Sequence, residues 1–171
     1  MELLIVRHAI AVEHGDPAYK RDDDRPLTPE GMHKFRLAAR GLKEFAGKPD
    51  RIVSSPLIRA RQTAEILRDA LAPDLKIDFC DDLVPSGDFG GVLACLKGLK
   101  AERVAIVGHE PHLSGFTSYL LVGDKCTATV VYKKGAAALV TFPNSPGAGH
   151  GTLEWLVQPG ALREIASTRS A

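Results

Sequence analysis

Arginine and histidine recur in this chain where short apolar runs stop. Leu3 to Val6 runs straight into Arg7 and His8, and Arg103 to Val107 leads into Gly108-His109-Glu110-Pro111. Arg59 follows the run Arg51 to Ser54 within about one helical turn, and Arg25 lies in the polar segment between them. Taken alone, an Arg-His pair is equally what a strand shows where it reaches the surface. Recurrence at several strand ends points to an anion. Guanidinium groups offer planar, paired donors that match phosphate oxygens. An imidazole beside them can act as a nucleophile toward phosphorus. Arg7, Arg25, Arg59, His8 and His109 are therefore candidates for a phosphoryl site. Could His8, His14 and the run Asp22 to Asp24 hold a metal instead? Their spacing matches no ligand pattern, and nearby arginines repel a cation. No metal and no cofactor is expected.

The elements that would carry these groups can be read from the same sequence. Leu3 to Ala9 reads as a strand buried on both faces, the kind found in parallel sheets, with Arg7 and His8 at its carboxyl end. In open α/β sheets ligands bind at that end. Ile10 to Leu27 reads as a loop over it, and Asp22, Asp23 and Asp24 as a solvated charge run. Thr28-Pro29-Glu30 opens a helix by N-cap and first-turn chemistry, running to about Ala46. Arg51 to Ser54 predicts a strand, and Ser55-Pro56 a helix start, reaching about Leu71. Leu75 to Phe79 predicts a third strand, and Gly91 to about Leu99 a helix. Arg103 to Val107 predicts a buried strand, followed by a helix from Pro111 to about Leu121. Thr127 to Tyr132 and Ala136 to Phe142 read as a hairpin. Thr152 to Val157 is a last strand and Pro159 to Ala166 a terminal helix. Residues 1–166 are expected to form one domain, with a frayed tail over 167–171. Strands alternating with helices indicate an α/β fold: a three-layer αβα sandwich with a mostly parallel central sheet and late antiparallel strands.

Bulk properties exclude several classes. The chain has 171 residues, 44% hydrophobic and 25% charged, with a formal net charge of +1. That near-zero charge gives no global field for nucleic acid or an anionic membrane, so anion selectivity must be local. No stretch approaches the ~20 apolar residues of a membrane span. The start, M-E-L-L-I-V-R-H, has no basic lead and too short an apolar run for a signal peptide. Cys80, Cys95 and Cys126 form no metal spacing and read as free thiols in a reducing compartment. A cytoplasmic protein, and a monomer, is expected. His14, His33 and His150 read as surface residues, His112 as a first-turn residue on the pocket rim at most, and Trp155 as core packing.

Five pieces of the sequence together resemble the histidine phosphatase superfamily, the phosphoglycerate-mutase-like fold, in its small SixA-type phosphohistidine phosphatase branch. They are L-I-V-R-H-A, R-P-L-T-P-E-G (Arg25 to Gly31), S-S-P-L-I-R-A-R-Q-T-A (Ser54 to Ala64), V-G-H-E-P-H-L-S (Val107 to Ser114) and E-W-L-V-Q-P (Glu154 to Pro159). They span nearly the whole chain in the family's order. The resemblance implies that His8 is the nucleophile and becomes phosphohistidine before water releases phosphate. It implies that Arg7, Arg59 and His109 hold the phosphoryl oxygens, with Arg25 a further contact, and that no metal is needed.

Two departures matter. The family writes R-H-G where this chain has Ala9, which is tolerated unless the position needs a positive φ. Larger relatives carry a glutamate acid in an L-x-E pattern after the third strand; the matching place reads Leu83-Val84-Pro85. Asp22 is the candidate substitute acid, against its reading as a solvated loop carboxylate. A general acid matters most for an alkoxide leaving group and least for an imidazole, whose pKa is near ~6.5. The expected function is therefore hydrolysis of phosphohistidine on a phosphorylated protein, a histidine phosphotransfer domain of a signalling chain. Alternatives are a phosphatase of small phosphate esters and a non-catalytic phosphoryl-binding module. A binding module has no need of a nucleophile, and a mutase lacks support in the missing acid and the short inserts.

Overall fold

The computed structural model of the protein describes residues 1–125 and 128–168. Six strands form one sheet: β1 (Glu2–Arg7), β2 (Arg51–Ser54), β3 (Ile77–Phe79), β4 (Arg103–Gly108), β5 (Ala137–Thr141) and β6 (Thr152–Val157), in the order β3-β2-β4-β1-β5-β6. β3, β2, β4 and β1 are mutually parallel, β5 runs antiparallel to β1, and β6 antiparallel to β5. Five helices cover it: α1 (Pro29–Lys43), α2 (Ile58–Leu71), α3 (Phe89–Gly98), α4 (His112–Val122) and α5 (Pro159–Thr168). This is the α/β sandwich expected from the alternating pattern. No helix among the described residues is long and apolar enough to cross a membrane.

The continuous apolar runs are explained by two cores. Successive strand residues point to opposite faces. Leu4 and Val6 of β1 join Ala105 and Val107 of β4 against α1, α2 and α5, through Phe35, Leu42, Leu67 and Leu162. Leu3 and Ile5 join Val104 and Ile106 on the other face, against α3 and α4, through Leu96, Leu113 and Phe116. Each central strand is thus buried on both sides and has no polar alternation to display.

Helix starts follow cap chemistry, with informative exceptions. Thr28 caps α1 as expected, its Oγ1 accepting from Gly31 N at 2.9 Å, with Pro29 at the first position. α3 begins at Phe89, earlier than predicted, because Asp88 is its cap and accepts from Gly91 N at 2.9 Å. α2 does not begin at Ser55-Pro56. Ser55 N–H instead extends the β2–β4 ladder to the Val107 carbonyl at 2.9 Å. The helix starts three residues later, capped by Leu57 without a side-chain bond. α5 runs past Ala166 to Thr168, the Ser167 and Thr168 hydroxyls bonding back to the Glu164 and Ile165 carbonyls; residues 169–171 lie outside the described residues.

The expected hairpin is not formed. Thr127 and Cys126 lie outside the described residues, and 128–132 contains no strand. The backbone of this segment is claimed elsewhere. The Val130 carbonyl accepts from Ser114 Oγ at 2.6 Å and the Val131 carbonyl from Gln158 Nε2 at 2.8 Å. Tyr132, 1% exposed, reaches into the core, its hydroxyl 2.9 Å from Thr117 Oγ1. β5 therefore pairs with β1 and β6 instead.

Candidate active site

The register of β1 against β4 brings the two histidines together. Arg7 pairs with Gly108, and His8 N–H donates to the Gly108 carbonyl at 3.0 Å, so His8 and His109 leave adjacent strands side by side. Their ring centroids are 5.0 Å apart. Ser55, at the end of β2, meets His109 from the far side: its Oγ is 2.9 Å from Nε2. Arg59 enters from the first turn of α2. Arg7, His8, Asp22, Arg25, Arg59 and His109 all line one cavity of about 480 Å³ at the carboxyl ends of the strands. Glu13, Pro85, Glu110 and Lys134 complete most of its wall.

His8 is 6% exposed, and its Nδ1 lies 2.7 Å from the Ala9 carbonyl oxygen. A carbonyl only accepts, so Nδ1 carries the proton and Nε2 keeps its lone pair. Burial pushes the pKa of His8 down to about 3, outweighing the Ala9 hydrogen bond, and the charges of Arg59, Arg7 and Lys134 push the same way. The ring is therefore neutral near pH 7, the state a nucleophile needs. His109 is likewise held neutral, pushed down to about 2 by burial and then by His8 and Arg59. His109 Nδ1, Arg7 Nε and Arg59 Nε are buried with no hydrogen-bond partner among the described residues. All three belong to residues lining the cavity.

The position after His8 is well determined. Ala9 N–H donates to Thr63 Oγ1 at 3.0 Å, and Thr63 Oγ1 donates to the Arg59 carbonyl at 2.7 Å. One buried hydroxyl thus fastens the residue after His8 to the turn carrying Arg59. Lys100 is the one non-glycine with positive φ among the described residues, so the backbone at Ala9 makes no demand for glycine. Arg7 donates from Nη1 to the Tyr132 carbonyl at 2.5 Å.

Asp22 corrects an expectation. It is not part of a solvated run. Its Oδ1 accepts from Arg25 Nε at 2.8 Å, and Arg59 reaches its Oδ2 at 2.8 Å and its carbonyl at 2.7 Å. Burial alone would raise the carboxyl pKa, but the Arg25 hydrogen bond and the two cations hold it below the usual range. A carboxyl held ionised by two arginines is a poor proton donor near neutrality. Asp23 does stay at the surface, paired with Arg21. His112 is also corrected: it is 4% exposed and packs against Phe89 and Phe116 rather than on the rim. His14 is exposed but stands at the cavity mouth, while His33 and His150 are surface residues elsewhere. Trp155, half-buried, lies edge-on to Phe45. Cys80 is buried and Cys95 half-buried, both free.

Sequence reading missed Ser55, Thr63, Glu110, Tyr132 and Lys134 as parts of this site. Ser55 and Thr63 lie inside the S-S-P-L-I-R-A-R-Q-T-A piece and carried a local signal. Tyr132 and Lys134 arrive from a segment more than 120 residues from His8 and carried none.

The family model of the histidine phosphatase superfamily (branch 1) matches residues 3–84. The phosphohistidine phosphatase SixA of Escherichia coli is 34% identical over 95% of this chain and 97% of its own. The chain belongs to the histidine phosphatase superfamily. It is a phosphatase of the SixA-type branch. An uncharacterized protein of Picosynechococcus is 39% identical over 72% of this chain and 75% of its own length. A solved structure of the protein histidine phosphatase SixA in complex with tungstate superposes with a TM-score of 0.82 and 32% identity, covering 95% of this chain and 99% of that one. Pro85 lines the cavity, and Ala9 follows directly on His8.

Proposed function

We propose that the protein hydrolyses phosphohistidine on a phosphorylated protein, a histidine phosphotransfer domain, through a covalent intermediate on His8. The observation that carries this is the 2.7 Å contact of His8 Nδ1 with the Ala9 carbonyl: it commits Nδ1–H to that oxygen and leaves the Nε2 lone pair for a cavity walled by arginine. In the first step the Nε2 lone pair attacks phosphorus, and the P–N bond to the substrate imidazole breaks. The free ring nitrogen of the substrate imidazole takes a proton from solvent before this bond breaks, so a neutral imidazole departs. In the second step water attacks the phosphorus on His8, releasing inorganic phosphate and restoring the neutral ring. Arg7, Arg59 and His109 stabilise charge on the phosphoryl oxygens in both steps, with Arg25 beside them. A donor of this kind typically contributes ~10²–10³ in rate. The tungstate complex of SixA, an oxyanion in a relative's structure, supports an anion in this cavity.

The test uses a phosphotransfer protein phosphorylated on histidine. Dephosphorylation is expected, and enzyme quenched in base during turnover should carry acid-labile phosphate on His8. Hydrolysis of small esters without action on any phosphohistidine protein would replace this reading with that of a small-ester phosphatase.

A further inference from the structure

A second, smaller cleft opens beside the catalytic cavity, on the other side of Lys134. It holds about 190 Å³ and reaches Ala9, the residue after His8. Ile10, Phe35 and Pro159 supply apolar lining, and Lys34, Lys134 and Arg163 supply three cations.

The backbone holds this cleft against the nucleophile. Gly135 N–H donates to the carbonyls of Arg7 and His8 at 3.2 and 3.1 Å, so the loop carrying Lys134 is fastened directly to the end of β1. Gly135 sits at φ +85, and a Cβ there would stand 3.2 Å from the Phe35 ring. Across the cleft, Gly31 lets α1 approach the Ile10 carbonyl, which a Cβ would meet at 2.0 Å. Lys134, on that fastened loop, lines both cavities, and its charge acts on His8.

Charge and size decide what fits. The chain as a whole is nearly neutral, yet among the described residues no carboxylate lines this cleft. Lys34 pairs with Glu30, whereas Lys134 and Arg163 have no carboxylate within 4.0 Å among the described residues. Small-molecule sites usually hold ~300–1,000 Å³. At about 190 Å³ this cleft is below that range and suits a single side chain. A small phosphate ester is served by the catalytic cavity alone. We infer that the cleft seats the part of the phosphorylated protein that flanks its reacting residue: one apolar side chain bracketed by carboxylates. The apolar side chain gains by leaving water. The cationic rim selects among partners and steers encounter. This inference rests on the protein-substrate reading above.

The experiment compares two phosphohistidine peptides of equal length, one flanked by Glu-Leu-Glu and the other by Lys-Leu-Lys, with p-nitrophenyl phosphate as a probe of the catalytic cavity alone. The wild type is expected to show a KM about tenfold lower for the acidic peptide. Arg163→Glu should bring that ratio to about one or reverse it, and Arg163→Gln should give an intermediate ratio if the reversal impairs folding. The p-nitrophenyl phosphate measurement separates a damaged cavity from a lost preference. Equal KM values for the two peptides in the wild type, or an unaltered ratio in both Arg163 variants, would overturn the inference while leaving the protein-substrate reading intact. Turnover of p-nitrophenyl phosphate with neither peptide hydrolysed would remove that reading, and the cleft's role with it.

Discussion

Asp22 Oδ2 lies 2.8 Å from Nη2 of Arg59, a guanidinium whose residue is only 2% exposed. The same carboxylate holds Arg25 through its other oxygen. On the proposed function, an arriving phosphoryl group and Asp22 compete for the same two cations. Asp22→Asn removes the competing charge and keeps a hydrogen-bond acceptor. The variant is expected to bind inorganic phosphate more tightly, lowering its Ki by about threefold, in line with the worth of a partly exposed ion pair. Turnover of alkyl phosphates should change little, because a carboxyl held ionised cannot supply the missing proton. A large selective loss of alkyl turnover would restore Asp22 as the acid.

His8→Asn should leave the fold intact, since the ring's one hydrogen bond is to its own neighbour's carbonyl. Removing the attacking nitrogen should lower turnover by more than about 10³-fold, the scale of loss seen when a covalent nucleophile is deleted. Circular dichroism and a thermal melt establish the fold, and initial rates on an aryl phosphate establish the loss. Substantial residual turnover would move the nucleophile elsewhere.

The neutral histidines give a pH signature. His8 is pushed from its usual 6.5 to about 3 and His109 to about 2. Between those values and 6.5 the unfolded chain binds protons that the folded chain refuses. Stability present above 6.5 is thus lost progressively as pH falls toward 3. Proton NMR of the imidazole Cε1–H signals should show no inflection for His8 or His109 between pH 5 and 8. An inflection near 6.5 in either buried ring would contradict the burial argument.

How much of this was legible in the chain follows from what each feature depends on. The both-face burial of β1 and β4 is written in uninterrupted apolar runs, and the Thr28 cap in its local chemistry. The meeting of His8 with His109 needed only the parallel pairing of two such strands. Asp22 was misread because its environment is made by Arg59, 37 positions away. Lys134 and the Tyr132 carbonyl come from a segment with strand-like composition whose backbone is taken up by side chains of α4 and by Gln158, a competition invisible to local pattern.

Thr63 ties the site together at low visible cost in sequence. Its hydroxyl is fully buried, accepting from Ala9 N and donating to the Arg59 carbonyl. Thr63→Val keeps the shape but leaves the Ala9 N–H without a partner. A loss of about 1–3 kcal/mol in stability is expected from chemical denaturation. kcat should fall as well, because the Ala9 carbonyl that sets the His8 tautomer is no longer held. An unaltered denaturation midpoint would mean the Ala9 amide finds another acceptor.

The last prediction concerns the leaving group. Pro85 stands in the cavity wall where the larger relatives are expected to carry a glutamate, and proline has no proton to give. Asp22 is held ionised by Arg25 and Arg59. Without an acid, the rate must depend on how well the departing group tolerates leaving unprotonated. Imidazole takes a proton from water near its own pKa of ~6.5, phenols leave as moderately basic anions, and alkoxides leave worst. Turnover should therefore fall from phosphohistidine through aryl to alkyl phosphates, the alkyl esters bearing most of a ~10²–10⁴ deficit. Plotting log kcat/KM against leaving-group pKa over a series of aryl and alkyl phosphates should give a steep negative slope. A flat line would reveal a working acid. Glu110, whose Oε1 is buried without a partner in the same wall, would then be the first residue to replace, as Glu110→Gln. A preference for alkyl phosphates over phosphohistidine would overturn the substrate while leaving the histidine nucleophile standing.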